Sequence, residues 1–511
     1  MSPVPREYNA AVDLIERNAG RANKVAYIDD AGRYTFGELA ERVDRAANAL
    51  VGLGLQREER VALALLDTID FPAAFLGAIK AGIVPVALNT LLTTPDYDYM
   101  LRDSRAQALV VSEPLLKVFL PLLGHLPDLK HVIVAGKDAQ GHLLFSELLA
   151  KAGKAFVAAP TLADDICFWL YSSGSTGAPK GTVHLHSHLI LTADLYAIPV
   201  LGIRETDIVF SAAKLFFAYG LGNGLTFPLA VGATTVLMAE RPTPDAVFRR
   251  LVEGPKEMRP TIFYGVPTLY AGMLVSPNFP KREDLALRVG TSAGEALPPE
   301  ILRRFAEKTG VELLDGIGST EMLHIFISNR PGDVKPGTTG KAVPGYTLRL
   351  LDEQGNEVKP GELGELQISG PTSAIMYWNQ REKTKNTFQG PWTRSGDKYT
   401  LVEGGYYAYG GRSDDMLKVG GIYVSPAEVE AALVSHQSVL ECAVVGHEDA
   451  DKVVKPKAFV VLKPDAKATA DELKAHVKSK LAPYKYPRWV EFVAELPKTA
   501  TGKIQRFKLR G

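Results

Sequence analysis

The chain has 511 residues, 46% of them hydrophobic and 23% charged, the profile of an ordinary globular protein too long for one compact core. Lysine and arginine total 58, and so do aspartate and glutamate, a balance that argues against a general nucleic-acid-binding surface. Two cysteines, Cys167 and Cys442, lie in apolar, strand-like runs and read as buried thiols; they exclude a disulfide scaffold and, with dispersed histidines, disfavour structural zinc.

The N-terminus carries Arg6, Glu7 and Asp13 and has no signal-peptide core. Residues 61–88 form the most apolar long stretch, but Asp67, Asp70, Lys80, Pro72 and Pro85 interrupt it. It reads as strand, helix, strand and not as a membrane span, so a cytoplasmic location is expected. Upstream, Leu39, Val43, Ala46 and Leu50 fall at helical spacing, with Thr35 and Glu38 placed as a capping box. A strand over 60–66, a helix over 71–81 ending at Gly82 and a strand over 83–87 make an α/β unit. Further strands are expected at 108–111 and 131–135.

A strand over 165–170 then feeds the run Tyr171-Ser-Ser-Gly-Ser-Thr-Gly-Ala-Pro-Lys-Gly181. Glycines let a backbone turn tightly and expose its amides. The hydroxyls of Ser172, Ser173, Ser175 and Thr176 add donors and Lys180 adds positive charge, so the loop suits nucleotide phosphates. It is not a Walker A loop, because no hydroxyl residue directly follows the lysine, and Gly174 and Gly177 lack the third glycine of a dinucleotide fingerprint. His184, His186 and His188 alternate just after it, and solvent-facing or structural roles are expected for them rather than metal binding.

Strands at 207–211 and 234–238 bracket a Gly-rich aromatic segment, and another at 287–294 ends in small residues. From Gly361 the texture changes to short strands and hairpins, a β subdomain after the α/β body. A polar run at 412–421 precedes a module of about a hundred residues, an ordinary domain size. It holds helices near 426–435 and 470–480, strands near 441–446 and 457–463, and a basic tail. No repeat, coiled coil or low-complexity segment is apparent.

The phosphate loop, Asp315-Gly-Ile-Gly-Ser-Thr-Glu321, Ser395-Gly-Asp397, Gly411-Arg-Ser-Asp-Asp415 and Pro497-Lys-Thr-Ala-Thr-Gly-Lys503 occur in that order. Together they resemble the acyl-adenylate-forming superfamily, which includes acyl- and aryl-CoA ligases, adenylation domains and luciferases. The wording of Lys214-Leu-Phe-Phe-Ala-Tyr-Gly220 and Gly316-Ile-Gly-Ser-Thr-Glu-Met-Leu-His324 is most similar to bacterial benzoate-CoA ligases. The resemblance covers essentially the whole chain. It implies an α/β fold: a large N-terminal domain, 1–413, of helix-flanked sheets plus a β subdomain, and a small mobile α+β domain, 414–511, hinged at Asp414.

It also implies the chemistry. A carboxylate attacks the α-phosphate of Mg-ATP, the small domain rotates, and the thiolate of coenzyme A displaces AMP. Ser172 to Gly177 and Lys180 are expected at the phosphates, and Gly294, Glu295, Ala296, Asp315, Gly316 and Ile317 at adenine. Ile317 departs from the aromatic residue many relatives stack there, and Tyr409 is the compensating apolar surface. Asp397 should bind the ribose hydroxyls and Arg412 ribose or phosphate; Thr320 should meet the α-phosphate, Glu321 should hold Mg2+, and Lys503 should steady carboxylate and α-phosphate. Lys418, Gly420 and Gly421 should line the pantetheine path.

Phe217, Ala218, Tyr219, Gly220, Tyr264, Gly316, Met322, His324 and Ile325 are expected to form the acid pocket, which suits a short flat ring. The expected reaction is therefore benzoate, ATP and CoA to benzoyl-CoA, AMP and diphosphate, with no nucleic-acid or membrane partner, in a monomer or homodimer. Alternatives are a stand-alone aryl-acid adenylation enzyme loading a carrier-protein thiol, or a ligase preferring hydroxy- or aminobenzoate.

Overall fold

A computed structural model describes residues 4–172, 179–413, 415–419, 422–449, 454–482, 484–498 and 504–510. The apolar stripe read at 36–52 forms the helix Phe36–Gly52, opened by the Thr35 and Glu38 capping box, with Leu39, Val43, Ala46 and Leu50 buried. The α/β unit follows as strand Arg60–Ala64, helix Asp70–Lys80 and strand Val84–Ala87. Its two strands pair in parallel, as a helical crossover requires.

Two large sheets are built this way. One runs, edge to edge, through Met376–Tyr377, Lys180–Leu185, Ile166–Ser172, Val84–Ala87, Arg60–Ala64, Ala108–Ser112, His131–Ala135 and Leu143–Leu144. The other has its parallel centre in Thr234–Val236, Ile208–Ser211, Ile262–Gly265, Val289–Ser292 and Leu313–Gly318. Strand alternation sorts side chains into layers: Ile262 and Tyr264 join the central core while Phe263 joins the outer one. Likewise Val61 and Leu63 face inward, and Ala62 and Ala64 face a third cluster. The central core fills the space between the sheets with helices, so the large body is helix, sheet, helix, sheet, helix.

Gly77 marks how closely those central helices approach. A Cβ there would lie 2.6 Å from the Ala46 Cβ and 3.0 Å from the Val43 carbonyl oxygen. Gly77→Ala is expected to destabilise the fold by about 1–3 kcal/mol, the cost of forcing packed helices apart. A urea midpoint shifted down at unchanged slope is the expected readout; an unshifted midpoint would show that the helices can separate freely.

The expected β subdomain is an antiparallel sheet of Thr347–Leu351, Leu363–Ser369, Trp392–Val402 and Tyr406–Arg412, with the short strand Phe388–Gln389 on Trp392–Val402. The C-terminal module has the hairpin Leu417–Val419 with Ile422–Val424, then the sheet of Val439–Glu448, Val454–Leu462 and Trp489–Phe492. Helices Pro426–Val434 and Ala470–Lys480 pack on that sheet around Val429, Leu433, Leu473 and Val477. Two π-helical segments, Ala193–Leu201 and Gly222–Thr226, have no counterpart in the sequence pattern. No described helix is long and apolar enough to cross a membrane.

Candidate active site

The strand Ile166–Ser172 turns back as Lys180–Leu185, with Ser172 opposite Lys180. Of the phosphate loop, Ser173, Gly174, Ser175, Thr176 and Gly177 lie outside the described residues. Its two flanks converge on Glu321. The Tyr377 hydroxyl donates to Glu321 Oε1 at 2.7 Å, the Ser172 hydroxyl stands at 3.4 Å and the Lys180 ammonium at 3.8 Å. Lys180 also donates to the Tyr377 oxygen (3.3 Å) and lies 4.4 Å from that ring's centroid. Burial lowers the Lys180 pKa while the Glu321 charge opposes the shift. Burial raises the Tyr377 phenol, and Glu321 raises it further, so Tyr377 stays a donor.

Glu321 sits on a turn between the antiparallel strands Leu313–Gly318 and Ile325–Ser328. Leu323 in that turn has φ of 66°, a left-handed conformation uncommon for leucine. The turn leaves no room at Gly318, whose added Cβ would lie 2.6 Å from the His324 carbonyl oxygen. The alternating histidines do not face solvent: all three are buried, and desolvation pushes His184 and His186 down to about 4 and His188 well below its ordinary value. His186 Nδ1 accepts from the Ala10 amide at 3.2 Å. No group of three or more metal-ligating side chains occurs among the described residues. The lone Glu321 carboxylate still fits Mg2+, which is commonly held by one or two carboxylates together with substrate phosphates.

The carboxyl ends of the parallel strands supply the next wall, where open α/β sheets carry their ligands. Ser292 and Asp315 are register partners there, and Ser292 Oγ and Asp315 Oδ1 are both buried with no hydrogen-bond partner. Burial holds the Asp315 carboxyl well above its ordinary range. Such orphaned polar atoms call for a polar ligand. Gly294 adopts φ of 92°, while the carboxylate of Glu295 accepts from the Thr268 hydroxyl at 2.7 Å, which leaves the 294–296 backbone as the surface to offer. Ile317 is half-buried against the central core, as is Tyr409, whose ring meets Tyr399 edge-on at 5.3 Å.

Asp397 and Arg412 are register partners on neighbouring strands of the β subdomain. Arg412 donates to Asp397 Oδ1 at 3.3 Å and to the Ser395 carbonyl at 3.2 Å, and the Tyr409 hydroxyl lies 3.5 Å from the same carboxylate oxygen. Gly396 makes that approach possible: its φ is 71°, and a Cβ would lie 2.9 Å from an Arg412 guanidinium nitrogen.

The expected acid-pocket residues also meet. Tyr219 shares a 2.6 Å hydrogen bond with Thr291, and Tyr264 stands edge-on to Tyr219 at 6.3 Å. His324 donates through Nε2 to the Tyr219 carbonyl at 3.2 Å, so its Nδ1 is unprotonated, and burial lowers its pKa to about 3. Gly222 admits that ring, since a Cβ there would lie 2.3 Å from His324 Cδ2. Ala218 and Gly220 carry the short helix bearing Tyr219, Phe217 packs on Phe216 at 4.3 Å, and Gly316 lies against Ile325. Met322 is fully buried in the core. His324 Nδ1 and the Tyr264 hydroxyl are buried without a partner. Sequence reasoning did not find Tyr377 or the neighbouring Tyr196, whose ring is 5.5 Å from His324, and it singled out His184 only for a solvent-facing or structural role; no local spacing links them to the site.

In the C-terminal module Asp414, Gly420, Gly421 and Lys503 lie outside the described residues, and only the backbone of Lys418 is described. Lys498 and Ile504 bridge antiparallel on either side of 499–503. Arg506 then grips Glu430 with two hydrogen bonds, 3.0 and 2.7 Å, and Arg510 pairs with Asp415.

Comparison with known proteins matches residues 14–378 to the AMP-binding enzyme family and 428–503 to the AMP-binding enzyme C-terminal domain. A benzoate–CoA ligase of Thauera aromatica is 65% identical over 99% of this chain and 96% of its own length. A 4-hydroxybenzoate–CoA/benzoate–CoA ligase of Rhodopseudomonas palustris is 49% identical over 99% of the chain and 94% of its own. A benzoate CoA ligase structure from Burkholderia xenovorans superposes with a TM-score of 0.93 at 58% identity, covering 99% of this chain and 100% of that one. An anthranilate CoA ligase bound to anthranoyl-AMP gives 0.95 at 45%, covering 99% and 97%.

Proposed function

The chain belongs to the AMP-binding enzymes, as an ATP-dependent aryl-CoA ligase of the AMP-forming acid–thiol class, and from that premise we propose that its acid is benzoate. The observation that carries this reading is the buried cluster of Tyr219, Tyr264 and neutral His324, aromatic and uncharged, in a chain related over its length to a benzoate–CoA ligase. A flat ring fits such walls and an ionised side chain would find no counter-charge.

The chemistry needs an activated carboxyl, because an unactivated carboxylate has only oxide to lose. A carboxylate oxygen bonds to the α-phosphorus and pyrophosphate leaves; the CoA thiolate then bonds to the acyl carbon and AMP leaves with the electron pair. Asp397 and Arg412 would orient the ribose, and Asp315 with the 294–296 backbone would take adenine. Thr320, Lys180 and the loop from Ser172 would hold the phosphates. Glu321 would bind Mg2+, which supplies charge neutralisation as negative charge develops. Lys503 would act in the first step, and rotation about Asp414 would bring the segment from Lys418 to Gly421 to the acyl group for the second.

A second reading has its own observation. The partnerless Tyr264 hydroxyl and His324 Nδ1 offer one donor and one acceptor to a ring hydroxyl or amino group. Turnover of Mg-ATP with benzoate, hydroxy- and aminobenzoates, cinnamate, acetate and octanoate, with and without CoA, tests both. A steep preference for benzoate in CoA-dependent product formation is expected. Preference for a substituted ring would favour the second reading, and equal use of octanoate would overturn both.

A further inference from the structure

The turn at 320–323 has every backbone carbonyl from Thr320 to Met322 held. The Glu321 carbonyl accepts from the Ala374 amide at 2.7 Å, and the Met322 carbonyl from the Thr372 hydroxyl at 2.8 Å. The Thr320 carbonyl accepts from the Leu323 amide at 3.2 Å and is reached by His184 Nε2 at 2.8 Å. His184 lies on Lys180–Leu185, the return strand of the phosphate-loop hairpin, so this one bond joins two segments 136 residues apart.

The bond also dictates a tautomer. A carbonyl only accepts, so His184 Nε2 carries the proton, and a neutral imidazole has no second one for Nδ1. His188 Nδ1 lies 3.0 Å from His184 Nδ1, where two lone pairs would repel, so His188 donates; its protonated Nδ1 then cannot accept from the Leu185 amide, which stands farther off at 3.4 Å. The His184 ring is further fixed by stacking on Phe168, 5.3 Å between centroids at 18°.

We propose that His184 is a positioning residue for adenylate formation: its Nε2–H ties the phosphate-loop hairpin to the turn bearing Thr320 and Glu321, and His188 keeps it in the tautomer that can do so. The tie keeps a turn with a left-handed leucine in place against the strand Lys180–Leu185, so Thr320 and Glu321 are presented without rearrangement when ATP binds. Loss of an outer-shell partner of this kind typically costs about 10–100-fold. The inference rests on Thr320 and Glu321 serving the phosphates and Mg2+.

His184→Phe keeps the ring and the stack but removes the donor, whereas His184→Gln can return an N–H near the Nε2 position. Pyrophosphate exchange in His184→Phe is expected to fall about 30-fold in kcat with the KM for ATP nearly kept, and His184→Gln to recover much of it. Hydrogen exchange at the Leu323 amide should rise in the Phe variant and return in the Gln variant, a signal independent of turnover. Both variants falling together in proportion to lost Tm would mark a merely structural histidine and overturn the proposal, as would unchanged exchange kinetics in His184→Phe. If that variant does not fold, His188→Leu puts the question with His184 in place: a fall of several-fold in kcat is expected, and none would overturn it. Glu321→Gln is the control. Retained activity there would mean that the phosphate reading itself has failed, whereas its loss beside an active His184→Phe would mean that only the tie is wrong.

Discussion

Lys503→Ala is expected to lower benzoyl-adenylate formation by about 10²–10³-fold while thioester formation from supplied benzoyl-AMP stays within a few-fold. In the first half-reaction negative charge builds on a five-coordinate phosphorus. An ammonium close to it binds the transition state more tightly than the ground state, so its loss appears in kcat. In the second half-reaction the phosphorus does not change coordination, and that charge is not needed. Pyrophosphate exchange and CoA-dependent consumption of benzoyl-AMP measure the two steps separately. Equal loss in both would refute the assignment of Lys503 to one pose of a two-pose cycle. The module's architecture suits such a role: Arg506, three residues beyond, is clamped to buried Glu430, so the tail is anchored to its own domain next to the lysine.

Glu321→Gln is expected to cost a similar factor, about 10²–10³, in pyrophosphate exchange and to raise the Mg2+ concentration needed for half-maximal rate. The amide keeps the size of the side chain and loses the anionic metal ligand. It also removes the charge that opposes desolvation of Lys180, so the lysine pKa should fall further below its ordinary value. Tyr377→Phe probes the same carboxylate more gently, because it keeps the carboxylate and deletes the 2.7 Å hydrogen bond to Oε1 together with the 3.3 Å bond that the phenol oxygen accepts from Lys180. A loss of about tenfold in metal affinity is expected there, with the fold intact. Mn2+ binding followed by paramagnetic resonance in the presence of ATP reads the affinity without turnover. Unaltered Mn2+ affinity in Glu321→Gln would remove this residue from the metal site.

Much of the molecule is legible in its amino-acid order. The capping box at Thr35 and Glu38, the parallel unit over 60–87, the strand feeding the phosphate loop and the β texture after Gly361 all form where local pattern places them. Each depends on neighbours within a few residues: side-chain period, turn chemistry, or a glycine with no Cβ to clash. The triple alternation of His184, His186 and His188 is harder, because alternation alone fits a metal site, a solvent-facing edge or a buried strand end. Burial decides against the solvent-facing edge, and it follows from what packs around the strand Lys180–Leu185 and the helix His186–Thr192.

The fold class, the glycine-rich phosphate loop and the set of candidate polar residues are properties of short stretches, and the chain's own order is enough to specify them. Which residue holds which is settled by the folded arrangement alone. Tyr377 reaches Glu321 across 56 residues, His184 reaches the Thr320 carbonyl across 136, and Tyr219 reaches Thr291 across 72. Such pairings depend on strand order and crossover geometry, and no periodicity in the chain encodes which distant strand becomes a neighbour. The chemistry-bearing residues are therefore readable as a set, while their support, the bonds that aim them, exists only once the two large sheets and the β subdomain have formed and packed together.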